Sequence, residues 1–265
     1  MKLPSYFISH GGGPWPYMEQ EFGNSYAQLR AALQDMPNQI GVTPKAILII
    51  SAHWEEPEFT VMSNPAPGMI YDYSGFPAHT YQISYPAPGS PELARQVQEL
   101  LLTAGLAARS DEQRGFDHGT YSALFPIYPD ADVPVVQLSL KKQLDPVAHF
   151  ALGRALAPLR EQGILIVGSG LSYHNLRKFG PTGQAASAAF DHWLQNTLLH
   201  TDPAQRTAQL NAWSDAPMAR EAHPREEHLL PLMVALGAAE QEAATCVYHE
   251  KSFFGYLTVS SFRFG

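Results

Sequence analysis

The sequence predicts a single α/β domain over residues 1–265, with a central, mostly parallel sheet flanked by helices. Three observations support this prediction. Short continuous apolar runs recur along the chain, segments with helical periodicity lie between them, and no Pro-, Gly- or Ser-rich linker divides the 265 residues. Strands that alternate with helices are typical of a parallel sheet covered on both faces. A chain of this length can form one such domain.

Four apolar runs are interpreted as buried strands, because a strand that is covered on both faces lacks polar alternation. They are Leu3–Ser9, Ala46–Ser51, Val133–Leu140 and Ile164–Gly168. The last stretch of the chain, Tyr256–Phe264, alternates apolar and polar residues. This alternation predicts an edge strand or an antiparallel strand.

The first two predicted helices are recognised by their periodicity and their ends. Apolar residues at intervals of three and four mark the first helix: Phe22, Tyr26, Leu29 and Leu33. The second helix begins at Ser90, a residue type that caps helix N-termini, and Pro91 follows at the first helical position. We expect it to end at Gly105.

Two further helices are predicted in the second half of the chain. Asp145 and Pro146 open a helix that extends to Gly163, and Pro158 should kink or interrupt it. The last helix is predicted to open at Pro224. Its apolar face consists of Leu229, Leu232, Met233 and Leu236.

The composition excludes several classes of protein. Seventeen Lys and Arg against 25 Asp and Glu give a formal charge of −8, which argues against a protein that grips phosphate backbones. The single cysteine, Cys246, excludes an internal disulfide framework and any Cys-rich metal site. No stretch approaches the ~20 apolar residues of a membrane span, and the first residues lack the apolar region of a signal peptide. A cytoplasmic location with no membrane or nucleic-acid partner is the expectation.

The 11 histidines carry most of the functional information. His10 and His53 each follow a predicted strand directly, and His174 comes shortly after another. Ligands of open α/β sheets bind at the carboxyl ends of the strands, so these three should converge on one cleft. His118, in a turn-like stretch, and His228, on the first turn of the helix that opens at Pro224, can join them.

Dispersed imidazoles at strand ends predict an open, mononuclear metal centre, because neutral imidazole is a common ligand of zinc, iron and copper. A lone histidine is more often a surface or core residue, and no role is assigned to His79, His149, His192, His200 or His249. Other chemistries lack their motifs: the sequence contains no nucleophile elbow, no phosphate-binding loop and no HExxH helix.

Five ordered motifs resemble the DODA-type (4,5-DOPA dioxygenase-like) class III extradiol ring-cleavage dioxygenases, which are related to the catalytic subunit of protocatechuate 4,5-dioxygenase. The motifs are Ser9–Pro14, Ser51–Trp54, Gly115–Gly119, Ser172–Leu176 and Glu227–Leu232. With shorter supporting matches, the resemblance extends from residue 5 to about residue 237.

The resemblance implies that His10, His53 and His228 bind one divalent metal per chain, Fe(II) for activity or Zn(II) as found in purified protein. In the protocatechuate branch the third ligand is a glutamate. Glu226 and Glu227 stand beside His228, so a slip of one residue could restore a carboxylate ligand.

Two aspects of this ligand set remain open. His223 is a less favoured third ligand, since Pro224 separates it from the helix body. Two histidines and a carboxylate form the usual Fe(II)–O2 site, whereas three histidines suit zinc equally well.

The resemblance also implies roles for the surrounding residues. His174 matches the family's acid–base histidine, although it could instead be a fourth zinc ligand. His118 would form a hydrogen bond with substrate or bound oxygen, or be a simple turn residue. Tyr71 and Tyr121 are expected to line an aromatic pocket or to pack. Apart from the resemblance, the position of Arg177 and Lys178 just after His174 makes them candidates to hold a substrate carboxylate or to form a solvated basic turn.

The leading hypothesis is therefore a metal-dependent extradiol dioxygenase, whose partners are O2 and a small aromatic diol such as DOPA or a related phenolic. A zinc-dependent hydrolase and a non-catalytic, metal-binding relative are the alternatives. The sequence is compatible with a homo-oligomer without predicting one.

Overall fold

One eight-stranded sheet organises the chain in the computed structural model, which describes residues 2–265. The strands are β1 (Ser5–Ser9), β2 (Ala46–Glu56), β3 (Phe59–Met62), β4 (Ala108–Asp111), β5 (Val135–Lys141), β6 (Ile164–Gly170), β7 (Ala244–Phe253) and β8 (Leu257–Phe264). Their order across the sheet is β4-β3-β5-β2-β6-β1-β8-β7. The four central strands, β5, β2, β6 and β1, are mutually parallel, and β8 and β7 continue the sheet in antiparallel pairing.

Helices cover the sheet. They are α1 (Glu19–Phe22), α2 (Ala27–Ile40), α3 (Pro91–Thr103), α4 (His118–Ile127), α5 (Pro146–Leu156), α6 (Gln184–His200), α7 (Pro203–Asn211), α8 (Ala219–Ala222) and α9 (Leu230–Gly237). Among the described residues, no helix combines the length and apolar character that a membrane crossing requires.

The predicted α/β class with a mostly parallel central sheet is confirmed. All four apolar runs form central strands, and every residue of β1 and β6 is buried. The strand predicted over Tyr256–Phe264 is β8, which pairs antiparallel with β1 and with β7. Pro158 interrupts the third predicted helix as expected, because α5 ends at Leu156 and a 3-10 segment, Ala157–Gln162, replaces it.

The prediction that a helix opens at Pro224 is wrong. Residues 224–229 form bends and turns, and α9 begins only at Leu230. Pro231 explains the difference: a proline in a helix interior has no N–H to donate and clashes with the preceding turn, so it belongs in the first turn. His228 therefore lies in the turn before α9 rather than on a helix.

The topology brings the chain segments that carry the histidines to one edge of the sheet. β2, β6 and β1 are neighbours and run in the same direction, so their carboxyl ends lie side by side. The turn before α9 is attached at the same edge, where Leu171 N–H donates to the carbonyl of His228 at 3.0 Å. The segments that carry His10, His53, His174 and His228 thus meet near the carboxyl ends of β1, β2 and β6.

Candidate metal centre

Local backbone features orient the first two histidines of the centre. The N–H of His10 donates to the carbonyl of Gly170 at 3.1 Å, which holds the residue after β1 against the end of β6. His53 lies where the pairing between β2 and β5 shifts register, between Ile50 and Glu55. Such a bulge re-aims a side chain, and here it brings the imidazole of His53 toward that of His10.

The Nε2 atoms of three histidines converge. The Nε2 of His53 lies 3.1 Å from that of His10 and 3.2 Å from that of His228. One ligand atom from each of these three residues falls within 4.8 Å of the others. His10 and His228 are buried, with only 1% and 3% of their surface exposed.

The Nδ1 atom of each of these rings faces a hydrogen-bond acceptor. Ser169 Oγ donates its own proton to the carbonyl of Gly119, so it accepts from His10 Nδ1 at 3.1 Å. His228 Nδ1 lies 2.9 Å from a carboxylate oxygen of Glu227. His53 Nδ1 makes a looser contact, 3.4 Å, with Asp72. A proton held on Nδ1 leaves the lone pair on Nε2, which is the form that binds a metal.

Burial keeps these rings neutral. It lowers the pKa of His10 and of His228 well below the usual value, and the neighbouring histidines lower both further. Burial and the adjacent His118 likewise lower the pKa of His53 to about 3, against the opposing influence of Asp72. All three imidazoles are therefore available as neutral donors near neutral pH.

This donor set fits a metal ion. Lone pairs that face one another at 3.1 and 3.2 Å repel unless a cation lies between them. Nitrogen ligands of a tetrahedral zinc ion, with bonds of about 2.0–2.1 Å, lie about 3.3 Å apart. The distances from the Nε2 of His53 to those of His10 and His228 are close to that separation.

Two more histidines flank this triplet. His118 is the first residue of α4 rather than part of a turn, because the side chain of Asp117 caps that helix by accepting from the N–H of Thr120. The ring of His118 lies 3.9 Å from that of His53, centroid to centroid. His174 stacks on His228 at 3.4 Å, with 18° between the ring planes.

A cavity of about 290 Å³ opens onto the histidines. Its polar wall is made by all five histidines and Asp72, and its other walls by Gly11, Gly12, Tyr26, Leu171, Leu176 and Phe179. Its volume lies at the small end of the range for ligand pockets. The site thus combines a cluster of neutral imidazoles with a confined, partly apolar chamber.

Comparison with known proteins identifies the family. The model for the catalytic LigB subunit of aromatic ring-opening dioxygenase matches residues 4–264. The chain belongs to this family.

Relatives in the family resemble the chain over nearly its whole length. The 4,5-DOPA dioxygenase extradiol of Portulaca grandiflora is 40% identical, covering 98% of this chain and 95% of the relative. The protein of that name from Escherichia coli K12 is 34% identical, covering 100% of this chain and 95% of the relative. The crystal structure of an uncharacterised E. coli K12 protein superposes with a TM-score of 0.78 at 32% identity, covering 99% of this chain and 100% of the other. The chain is a ring-opening dioxygenase, as the resemblance implied.

The other candidates for the third ligand lie outside the Nε2 triplet of this family member. Glu227 faces the Nδ1 side of His228, and Glu226 pairs with Arg220 at 2.6 Å. His223 is wholly buried, and its Nε2 lies 2.9 Å from the carbonyl oxygen of Ser172. Burial lowers its pKa to about 4, so it is a neutral core residue.

Three predicted substrate residues do not line the cavity. Tyr71 donates from its hydroxyl to the carbonyl of Ile83, and Tyr121 is buried within α4. Arg177 borders a neighbouring depression of about 530 Å³, which shares His174 and Leu176 with the cavity. Substrate contact by these three side chains stays a prediction.

The structure adds site residues that sequence reasoning missed. Ser169, Asp72 and Phe179 are the clearest examples, since the first two contact ligand candidates and the third lines the cavity. Ser169 directly follows the predicted strand Ile164–Gly168 and is the sixth residue of β6, so its position at the carboxyl end of a buried strand was a usable signal. For Asp72 no spacing rule exists, because it lies in the irregular segment between β3 and α3.

Proposed function

We propose that this family member is a metal-dependent extradiol dioxygenase that opens the ring of a catechol with O2. The observation that carries the proposal is the convergence of three imidazole Nε2 atoms, each with its Nδ1 turned to an acceptor, at the wall of a small chamber. Membership of a ring-opening dioxygenase family supports the reaction type. The names of the relatives support a catechol that resembles DOPA.

His10, His53 and His228 are the proposed ligands of one divalent ion, with Fe(II) for activity and Zn(II) as an alternative occupant. A bound ion would supply Lewis-acid polarisation of the two catechol oxygens and, where it is iron, the redox chemistry that O2 requires. Three protein ligands leave coordination positions open, as catalytic sites need.

The chamber would orient the ring. Leu171, Leu176 and Phe179 provide apolar surface in its wall, and a volume of about 290 Å³ suits a substrate with one ring. An aromatic ring packed between these side chains would direct its hydroxyls to the imidazole wall.

His174 is the proposed acid–base residue. Its Nδ1 lies 3.1 Å from Glu227, so a proton on Nδ1 would leave the lone pair on Nε2. A neutral imidazole in this form can take a proton from a catechol hydroxyl and return one as the product forms.

His118 is proposed to accept a hydrogen bond from the substrate. Asp72 accepts one hydrogen bond from Nδ1 of His118 at 2.8 Å and another from the backbone N–H of His118 at 3.0 Å. These two hydrogen bonds fix the position of the ring. Its remaining nitrogen is then an acceptor. This nitrogen would favour a substrate that carries a hydroxyl group at that position over one whose substituent has no proton to donate.

Arg177 is the proposed contact for an acidic substituent. Of the four cations around the neighbouring depression, Lys178, Arg220 and Arg225 each pair with a carboxylate. The side chain of Arg177 makes no ion pair within residues 2–265 and is exposed. Neither Tyr71 nor Tyr121 lines the cavity, so a contact of either with a substrate would lie outside it.

Oxygen uptake tests this function. Protein stripped of metal is reloaded anaerobically with Fe(II) or with Zn(II) and given a panel of catechols that includes DOPA. We expect uptake with iron, matched one to one by a yellow semialdehyde, and none with zinc. No uptake with any catechol, despite stoichiometric metal, would contradict the proposal and favour a zinc hydrolase or a non-catalytic relative.

A further inference from the structure

Two carboxylates adjoin the histidine cluster, and each contacts two imidazoles. Glu227 contacts His228 and His174, whereas Asp72 contacts His53 and His118. In both cases one partner belongs to the convergent triplet and the other flanks it.

A single oxygen of Glu227 serves both of its partners. Oε1 lies 2.9 Å from Nδ1 of His228 and 3.1 Å from Nδ1 of His174. The two rings stack almost parallel, so their Nε2 atoms lie on the sides turned away from Glu227. A carboxylate has only lone pairs to offer, so both nitrogens that face it must carry protons.

Asp72 makes the corresponding contacts with its two oxygens. Oδ1 accepts from Nδ1 of His118 at 2.8 Å, and Oδ2 lies 3.4 Å from Nδ1 of His53. The backbone N–H of His118 also donates to Oδ1. The centroids of the two rings are 3.9 Å apart.

An arginine contacts the second oxygen of Glu227. Nη1 of Arg225 lies 3.5 Å from Oε2 of Glu227. Arg225 itself is anchored to Glu55 on β2 through the two terminal nitrogens of its guanidinium, each 2.5 Å from a carboxylate oxygen. The carboxylate is thus held in place from the side opposite the histidines.

We propose that Glu227 and Asp72 are paired positioning residues, each fixing one metal ligand and one substrate-facing histidine in the Nδ1-protonated tautomer. This inference rests on the proposed function for the roles of the histidines. It adds that the basicity of a metal ligand and the orientation of a substrate-facing histidine are coupled, because one carboxylate contacts both rings of each pair.

The coupling makes a specific prediction for removal of one carboxylate. Glu227→Ala would release Nδ1 of His228 and of His174 together, while His53 and His118 keep Asp72. A positioning partner of a metal-binding histidine contributes about 10- to 100-fold to metal affinity. Loss of Glu227 should therefore weaken zinc binding by that factor and also change the tautomer of a histidine that binds no metal.

The test uses the zinc-loaded protein, which is diamagnetic, with ¹⁵N-labelled histidine. Long-range ¹H–¹⁵N correlation spectra report whether each ring carries its proton on Nδ1 or on Nε2, and competition with a chelator reports zinc affinity. We expect Nδ1–H at His174 and His118 in the wild-type protein. In Glu227→Ala, His174 should shift toward Nε2–H and zinc affinity should fall, whereas His118 is unchanged.

Two variants act as controls. Glu226→Gln alters the adjacent carboxylate, which pairs with Arg220 and contacts no histidine of the cluster, so tautomers and zinc affinity should match those of the wild type. Glu227→Gln keeps an oxygen that can accept from Nδ1, so it should restore the His174 tautomer and part of the affinity if Glu227→Ala folds poorly.

Two results would overturn the inference. They are an Nε2–H tautomer at His174 in the wild-type protein, and an unchanged His174 tautomer in Glu227→Ala, whether or not zinc affinity falls. Failure of the proposed function would be seen separately, as absence of catechol turnover in a wild-type protein whose tautomers and zinc affinity are as expected.

Discussion

His174 and His228 both line the cavity, but their contacts differ. The Nε2 of His228 lies 3.2 Å from that of His53, whereas His174 stacks on His228 and contacts Glu227 through its Nδ1. These contacts agree with the acid–base role proposed for His174 and with its place outside the proposed set of ligands.

We predict that His174→Ala retains bound metal and loses turnover. Removal of a general acid–base residue costs about 10²- to 10⁴-fold in rate, while the three Nε2 donors remain. Metal content by elemental analysis, together with the rate of oxygen uptake, checks this. His192→Ala, which alters an exposed histidine on α6, is the matched control. Turnover near that of the control would rule out the assigned role.

A second prediction separates the ligand from its neighbour. His228→Ala should weaken metal binding by more than about 100-fold, because it leaves only two donors, whereas Glu227→Ala should weaken it by about 10- to 100-fold. Titration against a chelator of known affinity measures both. If His228→Ala kept its metal and Glu227→Ala lost it, Glu227 would be the third metal ligand and His228 only its neighbour.

At the residue scale, the sequence predicted the histidines better than their partners. His10 and His53 could be placed because they follow buried apolar runs whose carboxyl ends must meet, although β2 itself continues past His53 to Glu56. Asp72 and Glu227 could not be placed in the same way. Their contacts depend on side-chain rotamers and on the path of irregular segments, neither of which produces a periodic pattern.

The carboxyl end of β6 determines where the turn that carries His228 can lie. Strand and turn approach so closely that a Cβ atom at Gly170 would stand 2.1 Å from the carbonyl oxygen of His228. The hydrogen bond from Leu171 to that same oxygen fixes the contact. The absence of a side chain at Gly170 is therefore a condition for the geometry of the centre.

Gly170→Ala is predicted to damage stability and metal binding together. Overpacking of this kind costs about 1–3 kcal/mol, and any retreat of the turn moves His228 away from His53. Urea unfolding and chelator titration measure the two effects. Gly68→Ala is the control, since a Cβ there meets nothing within 4 Å. Wild-type metal affinity in Gly170→Ala would show that the turn is not positioned by this contact.

At the element scale, the strands were predictable and several helices were not. Continuous apolar runs correspond to β1, β2, β5 and β6 because these strands are buried on both faces. The α6 helix was missed because it begins after Gly183 without a side-chain cap. The start of α9 was misplaced because the acidic residues after Pro224 resemble a first helical turn, although Pro231 already excluded a helix interior there.

Two buried histidines outside the Nε2 triplet are expected to make the whole molecule sensitive to acid. Burial lowers the pKa of His149 and of His223 to about 4. Both are neutral when folded, whereas an unfolded chain protonates them below about pH 6.5. Above pH 6.5 the two histidines are neutral in both states and do not reduce the free energy of unfolding. As the pH falls from 6.5 toward 4, protons bind only the unfolded chain, and each histidine lowers the free energy of unfolding by up to about 3 kcal/mol.

We therefore predict that the free energy of unfolding decreases between pH 6.5 and pH 4. The double variant His149→Gln, His223→Gln should show a shallower decrease, by up to about 1.4 kcal/mol per pH unit for each histidine removed. Urea denaturation at a series of pH values gives the slopes. Equal slopes for variant and wild type would mean that these histidines do not titrate differently on folding.

The central claim is that the histidine cluster supports insertion of both atoms of O2 into an aromatic ring. The most direct test is mass spectrometry of the product formed by the Fe(II)-loaded protein under ¹⁸O2, with the aldehyde reduced at once to prevent exchange with water. The account predicts a ring-opened product that carries two labelled oxygens, one in the new carboxylate and one in the trapped alcohol. A product that takes its new oxygen from water alone would contradict the account and indicate hydrolysis.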